Sequence, residues 1–171
     1  MNIDRFKEVI IDVPDFPKPG IVFKDLTPCF SNPEAFEFLI NSLSEQVPNS
    51  CTHIVGIESR GFIMASAIAL KLSLPLVLVR KPGKLPRKVY SYKYQLEYGE
   101  DELQLHQEDL SKDSKVVIVD DILATGGTAN AAEILCKTAA AEVLRHLFVL
   151  EIDALKGSGK LSAKSISMIK A

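Results

Sequence analysis

The sequence predicts an α/β fold with a mostly parallel central sheet flanked by helices, and three observations carry that prediction. Four short runs, HIVGI (53–57), LPLVLV (74–79), VVIV (116–119) and LFVLEI (147–152), are almost continuously apolar. Strands buried on both faces read this way, whereas a half-solvated antiparallel strand alternates. Helical stretches over 62–72 and 128–141 separate the members of each pair, giving two successive strand–helix–strand units. The chain has 171 residues, 47% hydrophobic and 25% charged, which suits one domain, 1–171, with its own core.

The elements follow in order. Residues 2–11 predict a short amphipathic helix with Phe6, Val9 and Ile10 inward. VPDFPKPGIVF (13–23) carries prolines at 14, 17 and 19, so it is neither a regular helix nor a central strand. It reads as an ordered, extended loop in which Phe16, Ile21, Val22 and Phe23 must pack. SNPE (31–34) has the form of a capping box with Pro33 near the first helical position. Phe36, Leu39, Ile40, Leu43 and Val47 follow at helical spacing, ending before Pro48. Between the two strand–helix–strand units, residues 80–106 are polar, basic and aromatic. Their later part, ELQLH (102–106), alternates like a strand, and about 82–96 predicts a long mobile loop or a hairpin flap, the usual form of a lid.

Composition excludes several classes. A net charge of −2 gives no global field for a nucleic-acid backbone. Cys29, Cys51 and Cys136 are odd in number and far apart, which is no disulfide framework, and the scattered His53, His106 and His146 complete no zinc spacing. MNIDRFKEVI lacks the apolar core of a signal peptide, and GFIMASAIAL is too short to span a bilayer. The expectation is a cytoplasmic protein with neither nucleic acid nor membrane as partner. GSGK (157–160) is not a phosphate-binding Walker loop, because Ala154 stands where the first glycine belongs and Leu161 follows the lysine.

VVIVDDILATGGT (116–128) is the informative stretch. In open α/β sheets ligands bind beyond the carboxyl ends of the strands, where Asp120 and Asp121 are expected. Carboxylates there suit a vicinal diol, as in a ribose, or metal-bound waters. Thr125, Gly126, Gly127 and Thr128 then open a helix. Glycine lets successive amides face one concavity, and the helix dipole adds about 0.3–2 kcal/mol for an anion. Diol acceptors followed by a phosphate cradle describe a ribose 5-phosphate. GIESRGF (56–62) is the other strand-to-helix turn and offers amides, Ser59 and Arg60, while RKPGKLP (80–86) places Arg80, Lys81 and Lys84 after the next strand.

The apolar run, two acids and T-G-G-T resemble the phosphoribosyl-diphosphate motif of type I phosphoribosyltransferases. The resemblance extends to the adenine-specific branch through PDFPKPGIVFKDLTP (14–28), GIESRGF, RKPGKLP, LEYG (96–99) and ALKG (154–157), in the same order over nearly the whole chain. It implies the type I phosphoribosyltransferase fold, with a small N-terminal hood over 1–32 and a lid over about 82–96. It also implies conversion of adenine and 5-phosphoribosyl 1-diphosphate to AMP and diphosphate, with Mg²⁺ as cofactor and a homodimer as the assembly.

The resemblance further implies roles. The main chain of Val22 and Lys24 would read the adenine edge, with Phe23 stacking on one face of the base and Ile122 against the other. Asp120 and Asp121 would meet ribose hydroxyls or Mg²⁺ waters, with no direct metal ligand assigned. Ala124, Thr125, Gly126, Gly127 and Thr128 would hold the 5′-phosphate. The turn Glu58, Ser59 and Arg60, with Lys81, would hold diphosphate, and Glu97 of LEYG would be the catalytic carboxylate. Tyr94 matches a lid tyrosine of the family, whereas Lys93 stands where the family usually has a smaller or uncharged residue. Two alternatives compete: an enzyme for a 6-oxopurine, xanthine or orotate on the same fold, and a regulator that binds the sugar without chemistry. The hood residues oppose the first, and the chain's length and charge oppose the second.

Overall fold

A computed structural model describes residues 1–95 and 99–171. The chain divides into two compact units, Met1–Ser42 and Leu43–Ala171.

The first unit opens with α1 (Ile3–Val9), capped by Asn2, whose Oδ1 accepts the Arg5 amide at 3.0 Å. Phe6 is its buried residue, with its ring 5.6 Å from that of Phe38, while Val9 and Ile10 are half-buried. The proline-rich stretch differs from expectation. It is a ribbon of β1 (Ile11–Pro14) and β2 (Val22–Asp25), antiparallel, with Pro14 opposite Val22. Pro14 ends its strand, a position that tolerates a missing N–H, and Asp15 Oδ1 ties the loop by accepting the Gly20 amide at 2.7 Å. The apolar residues expected to pack are largely in solvent: Phe16, Ile21 and Val22 are 52%, 45% and 54% exposed.

Two helices follow, α2 (Thr27–Ser31) and α3 (Pro33–Ser44). The capping residue is Asn32 rather than Ser31: Asn32 Oδ1 accepts the Ala35 amide at 3.1 Å, while Ser31 belongs to the preceding helix and bonds the Pro28 carbonyl. That short helix was not expected from the sequence, and α3 stops at Ser44, short of Val47.

The second unit is built on β3 (His53–Ile57), α4 (Gly61–Leu72), β4 (Leu76–Val79), β5 (Val89–Gln95), β6 (Glu100–His106), β7 (Lys115–Leu123), α5 (Gly127–Thr138), β8 (Glu142–Glu151) and β9 (Lys164–Lys170). Five strands form one parallel sheet in the order β4-β3-β7-β8-β9. The predicted α/β class holds because the central strands are buried on both faces: Ile54, Val55, Ile57 and Val116 to Val119 are all inaccessible. β9 was not foreseen, since KSISMIK is an edge strand of mixed polarity with half-buried residues. β5 and β6 pair antiparallel outside this sheet as a hairpin. Leu103 and Leu105 of β6 join the core beneath α5.

The chain leaves β3 toward the β4 edge and returns on the other side of β3 as β7. The carboxyl ends of β3 and β7 therefore flank the topological switch point, where open α/β sheets take ligands. Among the described residues no helix is long and apolar enough to cross a membrane.

Candidate active site

β7 runs through both aspartates to Leu123, so the acidic pair lies within the strand's last turns of pleat rather than beyond it. Alternation then separates the two carboxylates. Asp121 is 5% exposed, and its Oδ2 lies 2.5 Å from Arg60 Nε in an ion contact without hydrogen-bond geometry. Asp120 is half-buried, lines the neighbouring cavity and accepts the Asp121 amide on Oδ1 at 2.9 Å. Burial, and then the charge of Asp121, push the Asp120 carboxyl well above the ordinary range, with Arg60 opposing. Two adjacent acids, of which only Asp121 has a guanidinium in contact, favour a further cation or a donor-rich ligand.

Arg60 reaches Asp121 because α4 docks closely on β7. A Cβ on Gly61 would sit 2.8 Å from both Asp120 Oδ1 and the Val119 carbonyl oxygen. Only glycine permits that approach, and it sets the residue before it, Arg60, against the acidic pair.

The cavity beside the pair has a volume of about 90 Å³ and is lined by Asp120, Ile122 and the loop 123–129. This is well below the ~300–1,000 Å³ of a pocket that encloses a whole ligand, and it suits one end of a larger one. α5 begins at this cavity. Its N-cap is Gly126 at φ 78°, which has no side chain with which to cap the helix. The first amides of a helix have no partner within it, so Gly127 and Thr128 present N–H groups and the positive end of the dipole to an anion. Ala124 and Thr125 complete the wall.

On the other side, Glu58 does not face an anion with a bare carboxylate. Arg80 donates to it twice, from Nε and Nη2, both at 3.2 Å, and the Lys81 amide donates at 2.9 Å. Burial would raise its pKa, but these bonds and the Arg80 charge hold it below the ordinary value. Glu58 thus fastens the turn containing Ser59 to the end of β4. The Glu58–Ser59 peptide is cis. Lys81 extends from the same point to Asp101 of the hairpin. Burial opposes its charge, yet its bond to Asp101 and the neighbouring Tyr94 raise its pKa overall.

The expected positions 58–60, 81 and 120–128 therefore all fall at the carboxyl ends of β3, β4 and β7. Val22 and Lys24 lie in β2 of the first unit, where the Lys24 ammonium pairs with Asp12 at 2.7 Å and Phe23 meets Phe16 edge-on at 5.2 Å. Glu97 lies outside the described residues. Sequence reasoning missed Asp101, which no motif marks; its only signal is an acid placed on a strand that follows a basic segment.

Among the described residues no three histidine, cysteine or acidic side chains form a metal cage. The acidic pair nevertheless fits a hard cation that keeps its waters, since Mg²⁺ needs only one or two carboxylates beside phosphate oxygens.

Residues 31–166 match the model of the phosphoribosyl transferase domain. An adenine phosphoribosyltransferase of Carboxydothermus hydrogenoformans is 49% identical over 94% of this chain and 95% of its own length. The crystal structure of adenine phosphoribosyltransferase from Thermoanaerobacter pseudethanolicus superposes with a TM-score of 0.96 at 40% identity, covering 99% of this chain and 100% of that one. The enzyme of Saccharomyces cerevisiae, solved with an imino-altritol bisphosphate and adenine, gives 0.91 at 40% identity, with 97% of both chains covered. This chain belongs to the adenine phosphoribosyltransferases of the phosphoribosyl transferase domain family.

Proposed function

We propose that the protein transfers the 5-phosphoribosyl group of 5-phosphoribosyl 1-diphosphate to adenine, giving AMP and diphosphate in purine salvage. One observation carries the reading. At the switch point an acidic pair runs within a few residues into an uncapped, glycine-opened helix start, and Arg60 faces that pair from the β3 side. A ribose bearing a 5′-phosphate and a 1-diphosphate presents its polar groups in the matching order.

Asp120 and Asp121 accept from the ribose hydroxyls. The amides and hydroxyls of Ala124, Thr125, Gly126, Gly127 and Thr128 hold the 5′-phosphate. The 58–60 turn, through Ser59 and Arg60, together with Lys81, holds the diphosphate. Mg²⁺ would be held by substrate oxygens and by waters, with Asp120 or Asp121 accepting from those waters, and when bound it neutralises charge on the leaving diphosphate. N9 of adenine forms a bond to C1′ as the C1′–diphosphate bond breaks, and positive charge develops on the sugar. The acidic pair lies where that charge needs compensation.

The first unit reads the base. Val22 and Lys24 are two apart on β2, so their main-chain groups point to the same side of the strand, which supports main-chain recognition by the two together, with Phe23 as the stacking ring. A carbonyl that accepts from the 6-amino group of adenine would face an unpaired 6-oxo oxygen in guanine or hypoxanthine, at a cost of about 1–3 kcal/mol. Ile122 supplies apolar surface beside the phosphate cavity. The stretch 82–96 acts as a lid that keeps water from the activated sugar, and Glu97 exchanges a proton with the purine.

The protein works in the cytoplasm as a homodimer. Three buried free thiols fit a reducing compartment. Exposed Ile63 and Leu70 of α4 and Leu76 of β4 fit a face covered by a second copy.

The test is nucleotide formation from 5-phosphoribosyl 1-diphosphate and Mg²⁺ with adenine, hypoxanthine, guanine, xanthine or orotate. AMP from adenine alone is the expected result. Product from another base overturns the base assignment, and no product with any base overturns catalysis.

A further inference from the structure

We propose that Asp101 is an internal counter-anion of the phosphate-binding groups, occupying Lys81 and, through Tyr94, Thr128 until a diphosphate ligand displaces it. The inference rests on the function proposed above and identifies a residue that sets affinity at the same site.

Four side chains form one hydrogen-bonded line. The main chain of Arg80 bonds Gln104 in both directions, at 2.9 and 2.7 Å, which fixes Lys81 beside β6. Asp101 Oδ2 accepts the Lys81 ammonium and, at 3.2 Å, the Tyr94 hydroxyl. Its other oxygen accepts the Glu102 amide at 2.8 Å. Tyr94 stands directly opposite Asp101 in the hairpin register. The Tyr94 oxygen is in turn 3.2 Å from Thr128 Oγ1, on the first turn of α5.

The chemistry of the groups orients the line. An ionised carboxylate only accepts, so Tyr94 donates its proton to Asp101. Burial tends to raise the Asp101 pKa, but its bonds to Lys81 and to the Glu102 amide hold it below the ordinary value, so it is ionised at neutral pH. The Tyr94 oxygen then offers only lone pairs, and Thr128 must be the donor of their shared bond. One N–H of the Lys81 ammonium is thereby committed to the Asp101 carboxylate, and the hydroxyl proton of Thr128 to the Tyr94 oxygen that the same carboxylate orients. These are the donors that a diphosphate at one end and a 5′-phosphate at the other would require. Tyr94 is 8% exposed, and its ring packs over Gly127, so the Tyr94–Thr128 end of the line is shielded, whereas the Lys81 and Asp101 side chains are 37% and 26% exposed and within reach of a competing anion. Asp101 lies on the hairpin and not on the parallel sheet, so Lys81 can exchange partners without any change in the sheet.

The test uses the full chain and titration calorimetry, with inorganic pyrophosphate plus magnesium and ribose 5-phosphate as separate probes. Asp101→Asn removes the charge and keeps an acceptor for Tyr94. It is expected to bind pyrophosphate about tenfold more tightly, the scale of one charge-assisted hydrogen bond. KM for 5-phosphoribosyl 1-diphosphate falls in parallel, while kcat is unchanged. Tyr94→Phe frees Thr128 alone, so it tightens ribose 5-phosphate and leaves pyrophosphate as it was. Asp101→Ser, checked for folding by thermal unfolding, repeats the measurement without an amide. Equal or weaker pyrophosphate binding by folded Asp101→Asn and Asp101→Ser overturns the inference while the wild type still binds both probes. A wild type that binds neither probe overturns the site reading itself.

Discussion

The backbones of Gly126 and Gly157 are in contact, and neither residue has room for a methyl group. A Cβ on Gly126 would lie inside the Gly157 carbonyl, and a Cβ on Gly157 would lie inside the carbonyl of Ala124. Gly126 also holds φ at 78°, a region costly for other L-residues. The loop proposed to hold phosphate is therefore shaped from behind by the segment that follows β8, some thirty residues further along the chain.

Gly157→Ala is expected to push the 124–127 loop into the cavity it lines. Overpacking of this kind costs about 1–3 kcal/mol, which should appear as a lower midpoint in urea unfolding. The functional signature is sharper: KM for 5-phosphoribosyl 1-diphosphate rises about tenfold or more, a change of at least ~1.4 kcal/mol, while KM for adenine is unchanged. An unaltered KM for the sugar would disconnect Gly157 from the loop.

Arg60 and Asp121 support a double-mutant cycle. Removing Arg60 leaves an Asp121 carboxylate that is 5% exposed without its cation, so Arg60→Gln should cost about 1–3 kcal/mol of stability. It should also lower kcat/KM about 10²–10³-fold, the scale of losing one preorganised donor. Adding Asp121→Asn restores stability, because the buried charge is gone, and does not restore activity. Chemical unfolding and initial rates on the four proteins separate the two roles.

Gly61 controls the same pair indirectly. With a Cβ 2.8 Å from Asp120 Oδ1 and the Val119 carbonyl, Gly61→Ala must lift the start of α4 from β7 and carry Arg60 away from Asp121. Its kinetic defect should therefore resemble that of Arg60→Gln, and combining the two should add little. Fully additive defects would place Gly61 outside this linkage.

The parallel sheet was legible because continuous apolar runs have one physical use in a chain of this size, and the strands at 53–57 and 116–119 sit at its centre. The positions flanking the switch point were legible for a related reason: glycines and threonines between an acidic strand end and an alanine-rich helix are costly unless they bind something. The β1–β2 ribbon was hidden because its prolines suppress any strand signal, although Pro14 is harmless at a strand end. β9 was hidden because KSISMIK has neither clean alternation nor a continuous apolar run. The Asp101–Tyr94–Thr128 line was invisible because it depends on hairpin register, which no local pattern of residues sets.

Glu133 gives the fold a pH dependence that the sequence did not announce. It is 1% exposed on α5 and gathers three elements. His146 of β8 lies 2.8 Å away, Lys137 lies 2.7 Å away one turn along, and the Ser162 hydroxyl and amide both donate to it. Burial alone would raise its pKa, but His146, Lys137 and Ser162 together hold it far below the ordinary carboxylate value. A depressed folded-state pKa means that the unfolded chain binds the proton more readily. The stabilisation is thus complete above the ordinary carboxylate pKa and is lost as pH falls toward the folded value. Glu133→Ala breaks a buried charged network, so it should cost about 3–5 kcal/mol at neutral pH. The gap between wild type and variant in urea midpoint should hold from pH 7 to 5 and narrow steadily below about 4.5 as the unfolded-state carboxyl protonates. A gap that stays constant down to pH 3 would show that the ionised carboxylate contributes nothing and that Glu133 acts by packing alone.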